Sequence, residues 1–177
     1  EGGLAAAAGR VALGLPLTTG GGAVYVYSVD GEPAELALDA TLAPPQGAAG
    51  RFGTSVAVAA GPTVWVGSPN AGGLVGAATR FTATDGTWDA GTVVNGPGTD
   101  FMPVFGLTVA ARGDAAVVGA PGDDYGAGVA VAYRRGADGW RDAGTLAGEV
   151  EGYEAVGGEE VDCLEGTAAL FGCEQMD

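Results

Sequence analysis

Apolar and polar residues alternate along most of this chain, and the alternation is clearest in residues 104–133. There, runs of valine and alanine interleaved with small or polar residues are separated by glycine-rich turns. A period of two is typical of half-buried β-strands, and no stretch combines the apolar spacing of a helix with capping residues. The pattern therefore predicts an all-β chain, with strands at 105–111, 115–119 and 129–134 in this region.

The same pattern occurs once more, about 52 residues earlier in the chain. Phe52-Gly53 stands 53 residues before Phe105-Gly106, and Gly67-Ser68-Pro69 stands 52 residues before Gly119-Ala120-Pro121. Two aromatic pairs share the offset of 52, namely Phe81 with Tyr133 and Trp88 with Trp140. A repeat of this length in a β-rich chain is typical of propeller blades.

Two weaker copies flank these units. Gly14-Leu15-Pro16 opens the series, and Gly157-Gly158 with Gly172-Cys173 closes it. The predicted blades are therefore 1–49, 50–100 and 101–150, followed by an incomplete fourth blade at 151–177. The other expected strands are 2–8, 11–13, 23–29 and 36–42 in the first blade, 52–59, 63–66, 76–83 and 88–93 in the second, and 140–146 in the third.

The Phe-Gly and Gly-Ala-Pro pieces resemble the FG-GAP repeat, which forms the blades of integrin α-subunit propellers and of many extracellular proteins. The resemblance covers nearly the whole chain and implies a β-propeller of four-stranded antiparallel blades, of which about three and a half are present. Closed propellers need about four to eight blades. Further blades are therefore expected from the same chain or from a neighbouring chain. An extracellular or cell-surface location is also implied by the resemblance.

Integrin-type blades often bind Ca²⁺ in an Asp-x-Asp-x-Asp-Gly loop between their first two strands. The matching positions here are Ala60-Gly61-Pro62, residues 111–114 and residues 164–167, and none of them offers three carboxylates. The usual Ca²⁺ site is therefore not expected, and no cofactor is predicted. Asp123 and Asp124, just after Gly-Ala-Pro, are a weaker candidate for a cation site; the alternative is a solvated loop.

The formal net charge of −15 argues against nucleic acid and anionic membranes as partners. Nucleic acid and anionic membrane surfaces repel such a chain. The acidic balance fits either a solubilising surface or a basic or metal-bridged partner. No segment is apolar enough along its length to predict a membrane span.

The composition argues against catalysis within this chain. Histidine and lysine are both absent, so there is no Ser-His-Asp or Cys-His pair and no Schiff-base lysine. Carboxylates are plentiful, but no spacing singles out a catalytic pair. The chain is therefore predicted not to be an enzyme.

Aromatic residues recur at matched places in the blades, which predicts packing between sheets. Trp65 departs from this pattern, and it is the best candidate for an exposed aromatic residue that binds a partner. Arg112-Gly113-Asp114 spells an integrin ligand motif, but it occupies a predicted turn, where Gly and Asp are ordinary residues. Cys163 and Cys173 could bond to each other, bond to cysteines outside this sequence, or remain free thiols.

The predicted function is that of a non-catalytic extracellular interaction or assembly module that binds protein or glycan through a loop face of the propeller. One alternative is a structural subunit of an extracellular filament or coat. Another is a propeller attached to a hydrolase domain outside this chain.

Overall fold

The computed structural model describes residues 2–31, 34–96, 103–123 and 126–147. Within these ranges the chain forms thirteen β-strands in three antiparallel sheets, without a helix. The prediction of an all-β chain built from antiparallel sheets is therefore confirmed. The predicted fourth blade, with Cys163 and Cys173, lies outside the described residues, as does Asp124.

Each sheet is built from consecutive strands. The first sheet has the order β1-β2-β3-β4, the second β5-β6-β7-β8 with β9 also on β7, and the third β10-β11-β12-β13. The strands are β1 Leu4–Ala7, β2 Arg10–Leu15, β3 Ala23–Asp30, β4 Glu35–Leu42, β5 Ser55–Ala59, β6 Thr63–Ser68, β7 Ala77–Thr84, β8 Thr87–Trp88, β9 Thr92–Asn95, β10 Thr108–Arg112, β11 Ala115–Ala120, β12 Val129–Gly136 and β13 Gly139–Ala147.

The outer strand of the second sheet differs from its prediction. A single strand was expected at 88–93, but β8 and β9 are separated there by a short break. The Asp89 carboxylate accepts a hydrogen bond from the Gly91 backbone N–H at 3.0 Å, and Gly91 has a φ of 83°. Since this conformation favours glycine, the Asp-Ala-Gly segment turns the chain out of the ladder.

Related irregularities occur at the matching place in the other two sheets. In β13 the Gly144 N–H donates to the Asp142 carboxylate at 2.7 Å, and the register shifts beside it. In β4 the register shifts around Asp39. All three segments share the sequence Asp-Ala followed by Thr, with a glycine inserted in the second and third. The bulge is therefore a repeated feature of the outer strand.

The three sheets stack face to face around two hydrophobic cores. We call the side of a sheet that faces the next sheet along the chain its forward face and the opposite side its rear face. In the third sheet, the forward face is the one turned away from the second sheet. The first core joins the forward face of the first sheet to the rear face of the second, and it includes Val24, Val26, Val64 and Val66. The second core joins the second and third sheets in the same sense. The second sheet is thus covered on both faces, and every residue of β6 is buried.

The Phe-Gly motifs form the junctions between sheets. Phe52 makes a parallel bridge with Gly22 of the first sheet, and Phe105 makes the same bridge with Gly76 of the second. The Phe52 N–H donates to the Gly21 carbonyl at 2.9 Å, and the Phe105 N–H donates to the Val75 carbonyl at 3.1 Å. Both phenylalanine side chains are fully buried. Each motif therefore docks the start of one sheet onto the forward face of the preceding one.

Across the described ranges, no helix has the length and apolar character needed to cross a bilayer.

Candidate functional site

Trp65 does not lie on the surface, so the prediction of an exposed binding residue is wrong. Its exposed fraction is 0%. Its ring lies 4.9 Å from the ring of Tyr133 and 5.4 Å from that of Trp140, measured between centroids. Trp65 is on the forward face of β6, which the third sheet covers. The alternation of residues in β6 predicted which side chains share a face of the strand. It did not indicate that both faces are buried.

The prediction that the recurrent aromatic residues pack between sheets is confirmed for the second and third sheets. Phe81 meets Phe52 edge to face at 5.9 Å, and Phe81 and Tyr133 are both buried. Trp88 and Trp140 pack against the two cores. Tyr27, the matching residue of the first sheet, is half-buried on the rear face.

The environment of Tyr133 perturbs its ionisation. Burial, with a smaller contribution from the nearby Asp142 carboxylate, raises the pKa of Tyr133 to about 12. Both effects disfavour the phenolate, which carries a negative charge. Tyr133 is therefore a neutral packing residue at ordinary pH.

Asp123, the acidic candidate that the structure describes, lies in the turn after Ala120-Pro121. Asp123 is 6% exposed, and its backbone carbonyl accepts hydrogen bonds from the N–H groups of Gly126 and Gly128. Within the described part of the chain, no three His, Cys, Asp or Glu side chains lie together as a metal ion would require. Asp123 thus closes the loop between β11 and β12.

The Arg112-Gly113-Asp114 segment forms the turn between β10 and β11, as expected. Gly113 has a φ of 56°, and its carbonyl accepts a hydrogen bond from the Ala60 N–H at 3.0 Å. Arg135 of the third sheet also donates to the Ala60 carbonyl, at 3.1 Å. These bonds fasten the turn of the third sheet to the turn of the second.

A cavity of about 330 Å³ opens on the forward face of the third sheet. We call it the third socket; its lining residues are Thr108, Gly119, Ala120, Pro121, Gly128, Val129, Ala130, Leu146 and Ala147. None of these side chains is ionisable. The sequence alone did not indicate this cavity, because its glycines are also ordinary turn residues.

The third socket matches the places that hold Phe52-Gly53 and Phe105-Gly106 in the other sheets. A side chain on Gly14 would collide with the Gly53 carbonyl, and one on Gly67 would collide with the Gly106 carbonyl. Gly119 is the corresponding glycine of the third sheet, but a side chain there would meet only Thr108 among the described residues. The repeat thus builds the same docking position three times, and among the described residues two of them hold a Phe-Gly motif.

A pair of residues on the third and fourth strands forms the floor of each docking position. The pairs are Val24 with Leu42 in the first sheet and Ala130 with Leu146 in the third. Leu42 is 4% exposed and shares a core with Phe52, whereas Leu146 is 59% exposed. A matching ring over Leu146 would therefore remove apolar surface from water.

Three arginines form a row at the other end of the same forward face. Arg112 pairs with Ala115, Ala115 pairs with Arg134, and Arg134 pairs with Arg141. Directly paired residues share a face of the sheet, so the three exposed guanidinium groups lie on one side. Within the described residues, none of them makes a hydrogen bond or an ion pair.

The third socket and this arginine row are separated by about 13 Å, four residues along β10 at ordinary strand rise. Ala110, Val117 and Ala132 occupy the face between them. The forward face of the third sheet thus carries small apolar residues between a cavity at one end and positive charge at the other. The chain has only seven basic residues, so this row holds a large part of its positive charge.

The rear face of the first sheet is a second uncovered surface. Leu4, Leu36 and Leu38 are exposed by 70%, 65% and 56%, and Tyr25 and Tyr27 lie half-buried beside them. The corresponding face of the second sheet is covered by the first sheet. The three exposed leucines therefore share one face of this sheet with the two tyrosines.

Comparison with known proteins gives no family assignment, because neither the protein-family models nor the curated protein sequences contain a match to this chain.

Proposed function

We propose that the chain is part of an FG-GAP-type β-propeller that serves as a non-catalytic extracellular module and binds protein or glycan on a loop face. The observation that carries the proposal is the repeated junction, in which a Phe-Gly motif docks each sheet onto the sheet before it. Identical junctions add sheets with a constant rotation, and such addition closes into a ring at about four to eight blades. Further blades come from the same chain or from a neighbouring chain.

The loops between the second and third strands are the proposed binding face. These loops, at 16–22, 69–76 and 121–128, lie at the same end of the strands in all three sheets, because the strand order is the same in each. Leu17 and Val75 lie in two of them and are exposed by 75% and 45%. Loops on a rigid scaffold commonly carry binding residues, and exposed apolar side chains there support contact with a partner.

The chemistry of the described residues supports binding rather than catalysis. The chain has no histidine, and the third socket has no ionisable lining residue. A catalytic site needs groups that transfer protons or attack the substrate. We therefore assign a hydrolytic role, if the natural protein has one, to another domain.

A binding assay with matched variants tests this function. The natural protein is titrated against an immobilised glycan array and against purified extracellular proteins, together with Leu17→Ser/Val75→Ser. The control substitution, Asp138→Ser, lies in the β12–β13 turn at the opposite end of the strands. Saturable binding that is weakened at least about tenfold by the double variant, and unchanged by the control, supports the proposal. Equal binding by all three proteins, or an absence of binding with a hydrolytic activity in this domain, contradicts it.

A structural subunit of a filament or coat is the second candidate, and the exposed rear face of the first sheet favours it. This apolar face could receive the forward face of a neighbouring copy. Such a contact joins two different surfaces and generates rings or open filaments. Self-assembly of the purified natural protein without any ligand would replace the binding module with this function.

A further inference from the structure

We propose that Arg134 and Arg141, on the hairpin of β12 and β13, form a binding site for one doubly charged oxyanion, a phosphate or a sulfate group. The two residues lie directly opposite each other in the ladder, and both are exposed on the forward face of the third sheet. The loops of the proposed binding face lie at the other end of the strands. The oxyanion site is therefore separate from the proposed function and does not rest on it.

The pairing of two arginines is electrostatically unfavourable without an anion between them. Directly opposite residues of an antiparallel ladder have Cβ atoms about 4.5–5.5 Å apart, and like charges there destabilise the sheet. Within the described part of the chain, no carboxylate forms an ion pair with either guanidinium. Asp114 and Asp138 lie in the turns at this end of the sheet, and Asp142 is paired with Tyr133 of the rear face. The pair thus presents two uncompensated positive charges to solvent.

Other arginines of the chain hold the scaffold together, and the proposed pair does not. Arg10 forms an ion pair with Asp39 at 3.3 Å, and Arg135 donates to the Ala60 carbonyl at 3.1 Å. The proposed pair makes no contact of this kind within the described residues. Its guanidinium groups are therefore available to a ligand.

The packing of another sheet on this face leaves the pair accessible, as the matched residues of the other sheets demonstrate. These residues are Ser28 with Ala37 in the first sheet and Thr82 with Asp89 in the second. The forward faces of both sheets are covered. Nevertheless, Ser28 and Thr82 are only half-buried. Ala37 and Asp89 are exposed. The pair lies at the margin of the face, so the site does not depend on what covers the centre.

The charge and geometry of the pair fit a divalent oxyanion. An arginine guanidinium donates parallel hydrogen bonds to the oxygens of a phosphate or a carboxylate, and it does so as a rigid fork. Two forks with two positive charges match a phosphate or sulfate dianion better than a singly charged carboxylate. The net charge of −15 repels a long polyanion more strongly than a single group. The ligand is therefore a free ion or a terminal monoester on a partner.

Calorimetric titration of the whole chain at low salt tests the site. The probes are inorganic phosphate, inorganic sulfate and glucose 6-phosphate, with glucose as the neutral control. Saturable binding of the oxyanions is expected, and Arg134→Gln/Arg141→Gln is expected to weaken it at least about tenfold. Arg134→Lys/Arg141→Lys keeps the charges without the forks, and it is expected to weaken binding at least about threefold. The control Arg51→Gln removes a charge from an exposed residue before β5 and is expected to bind as the wild type does.

Thermal unfolding of Arg141→Asp gives an independent measurement, because the second sheet has an aspartate at this position. An aspartate opposite Arg134 replaces repulsion with attraction. Without ligand, the variant is therefore expected to have a Tm at least about 2 °C above that of the wild type. At constant ionic strength, phosphate is expected to raise the Tm of the wild type and not that of the variant. An equal rise in both proteins would contradict the site.

The probes also distinguish the two sources of the oxyanion. Tighter binding of glucose 6-phosphate than of phosphate would support the site with an ester on a partner as its ligand. Equal or weaker binding of the ester would support it with the free ion. The absence of saturable binding of all three oxyanions, an equal loss in Arg51→Gln and the double glutamine variant, or full binding by the lysine variant would overturn the site. Leu17→Ser/Val75→Ser leaves the pair intact, so the oxyanion site and the proposed function fail separately.

Discussion

Trp65 lies in the core between the second and third sheets. It is fully buried and lies against Tyr133 and Trp140. Within the described residues its indole N–H has no hydrogen-bond partner. The packing of its ring, and not a polar contact, is therefore what this side chain contributes.

Two substitutions at this position separate ring packing from the indole N–H. Trp65→Ala is expected to lower the free energy of unfolding by about 3–5 kcal/mol, because it leaves a large cavity between two sheets. Trp65→Phe keeps a ring against Tyr133 and removes the unpaired N–H, so it is expected to cost about 1–2 kcal/mol. Denaturant unfolding measures both values. An alanine variant as stable as the wild type would mean that Trp65 is not part of the core.

Tyr133 makes stability depend on pH at the alkaline end. Its folded-state pKa of about 12 lies above the ordinary value of 10.0. The native state therefore holds this proton more tightly than the unfolded state, and the resulting stability is fully present below pH 10 and is lost as the pH rises toward 12. We expect the Tm of the wild type to fall over this window more steeply than that of Tyr133→Phe. Parallel curves for the two proteins would show that Tyr133 does not carry the effect.

At the residue scale, sequence predicted which aromatic positions recur but not how deeply each is buried. The matched positions of Phe81 and Tyr133 indicated packing, and both side chains are buried. Trp65 had no match in the other repeats, since Ala12 and Val117 occupy its place there. Because Trp65 is a single large residue where the other repeats have small ones, it was predicted to lie on the surface. Instead it fills the space between two sheets.

The strands themselves were predictable, because period-two alternation and glycine turns are local signals. The bulged outer strands were not predicted, although they carry a repeated Asp-Ala-Gly-Thr or Asp-Ala-Thr sequence. In the second and third sheets the Asp side chain accepts a hydrogen bond from the glycine N–H two residues later, which interrupts the ladder. An aspartate followed two residues later by glycine inside a predicted strand is the signal that could have located the irregularities in the second and third sheets.

Alanine substitutions at two glycines test the role of the bulge in the second sheet. Gly91 and Gly86 have similar φ angles of 83° and 78°. A methyl group on Gly86 would meet nothing within 4 Å, whereas one on Gly91 would meet the buried ring of Phe81. We expect Gly86→Ala to cost about 1 kcal/mol from its backbone conformation alone, and Gly91→Ala about 2–4 kcal/mol because it adds overpacking. Equal losses in chemical denaturation would show that the outer strand does not press on Phe81.

At the scale of the whole molecule, the repeat predicted separate sheets but not the surfaces they leave open. The third socket and the arginine row depend on which residues face the same way, and this requires the register of four strands. The positions of Arg112, Arg134 and Arg141 were visible in the sequence. Their assembly into one row was not, because cross-strand pairing is non-local.

The two uncovered faces of the stack are complementary in kind. The rear face of the first sheet presents leucines and tyrosines, and the forward face of the third presents the socket and small apolar residues. The same kinds of faces meet at both internal junctions. We propose that further blades of one ring cover both faces.

Light scattering together with intact mass measurement of the natural protein tests that claim most directly. A closed ring predicts a monomer whose single chain is long enough for at least about four blades, with no change of mass over a wide range of concentration. If a further blade covers these leucines, the variant Leu36→Ser/Leu38→Ser should remain monomeric and lose stability. Assembly of the natural protein into oligomers or filaments, abolished by this variant, would contradict the closed ring and leave the structural subunit in its place.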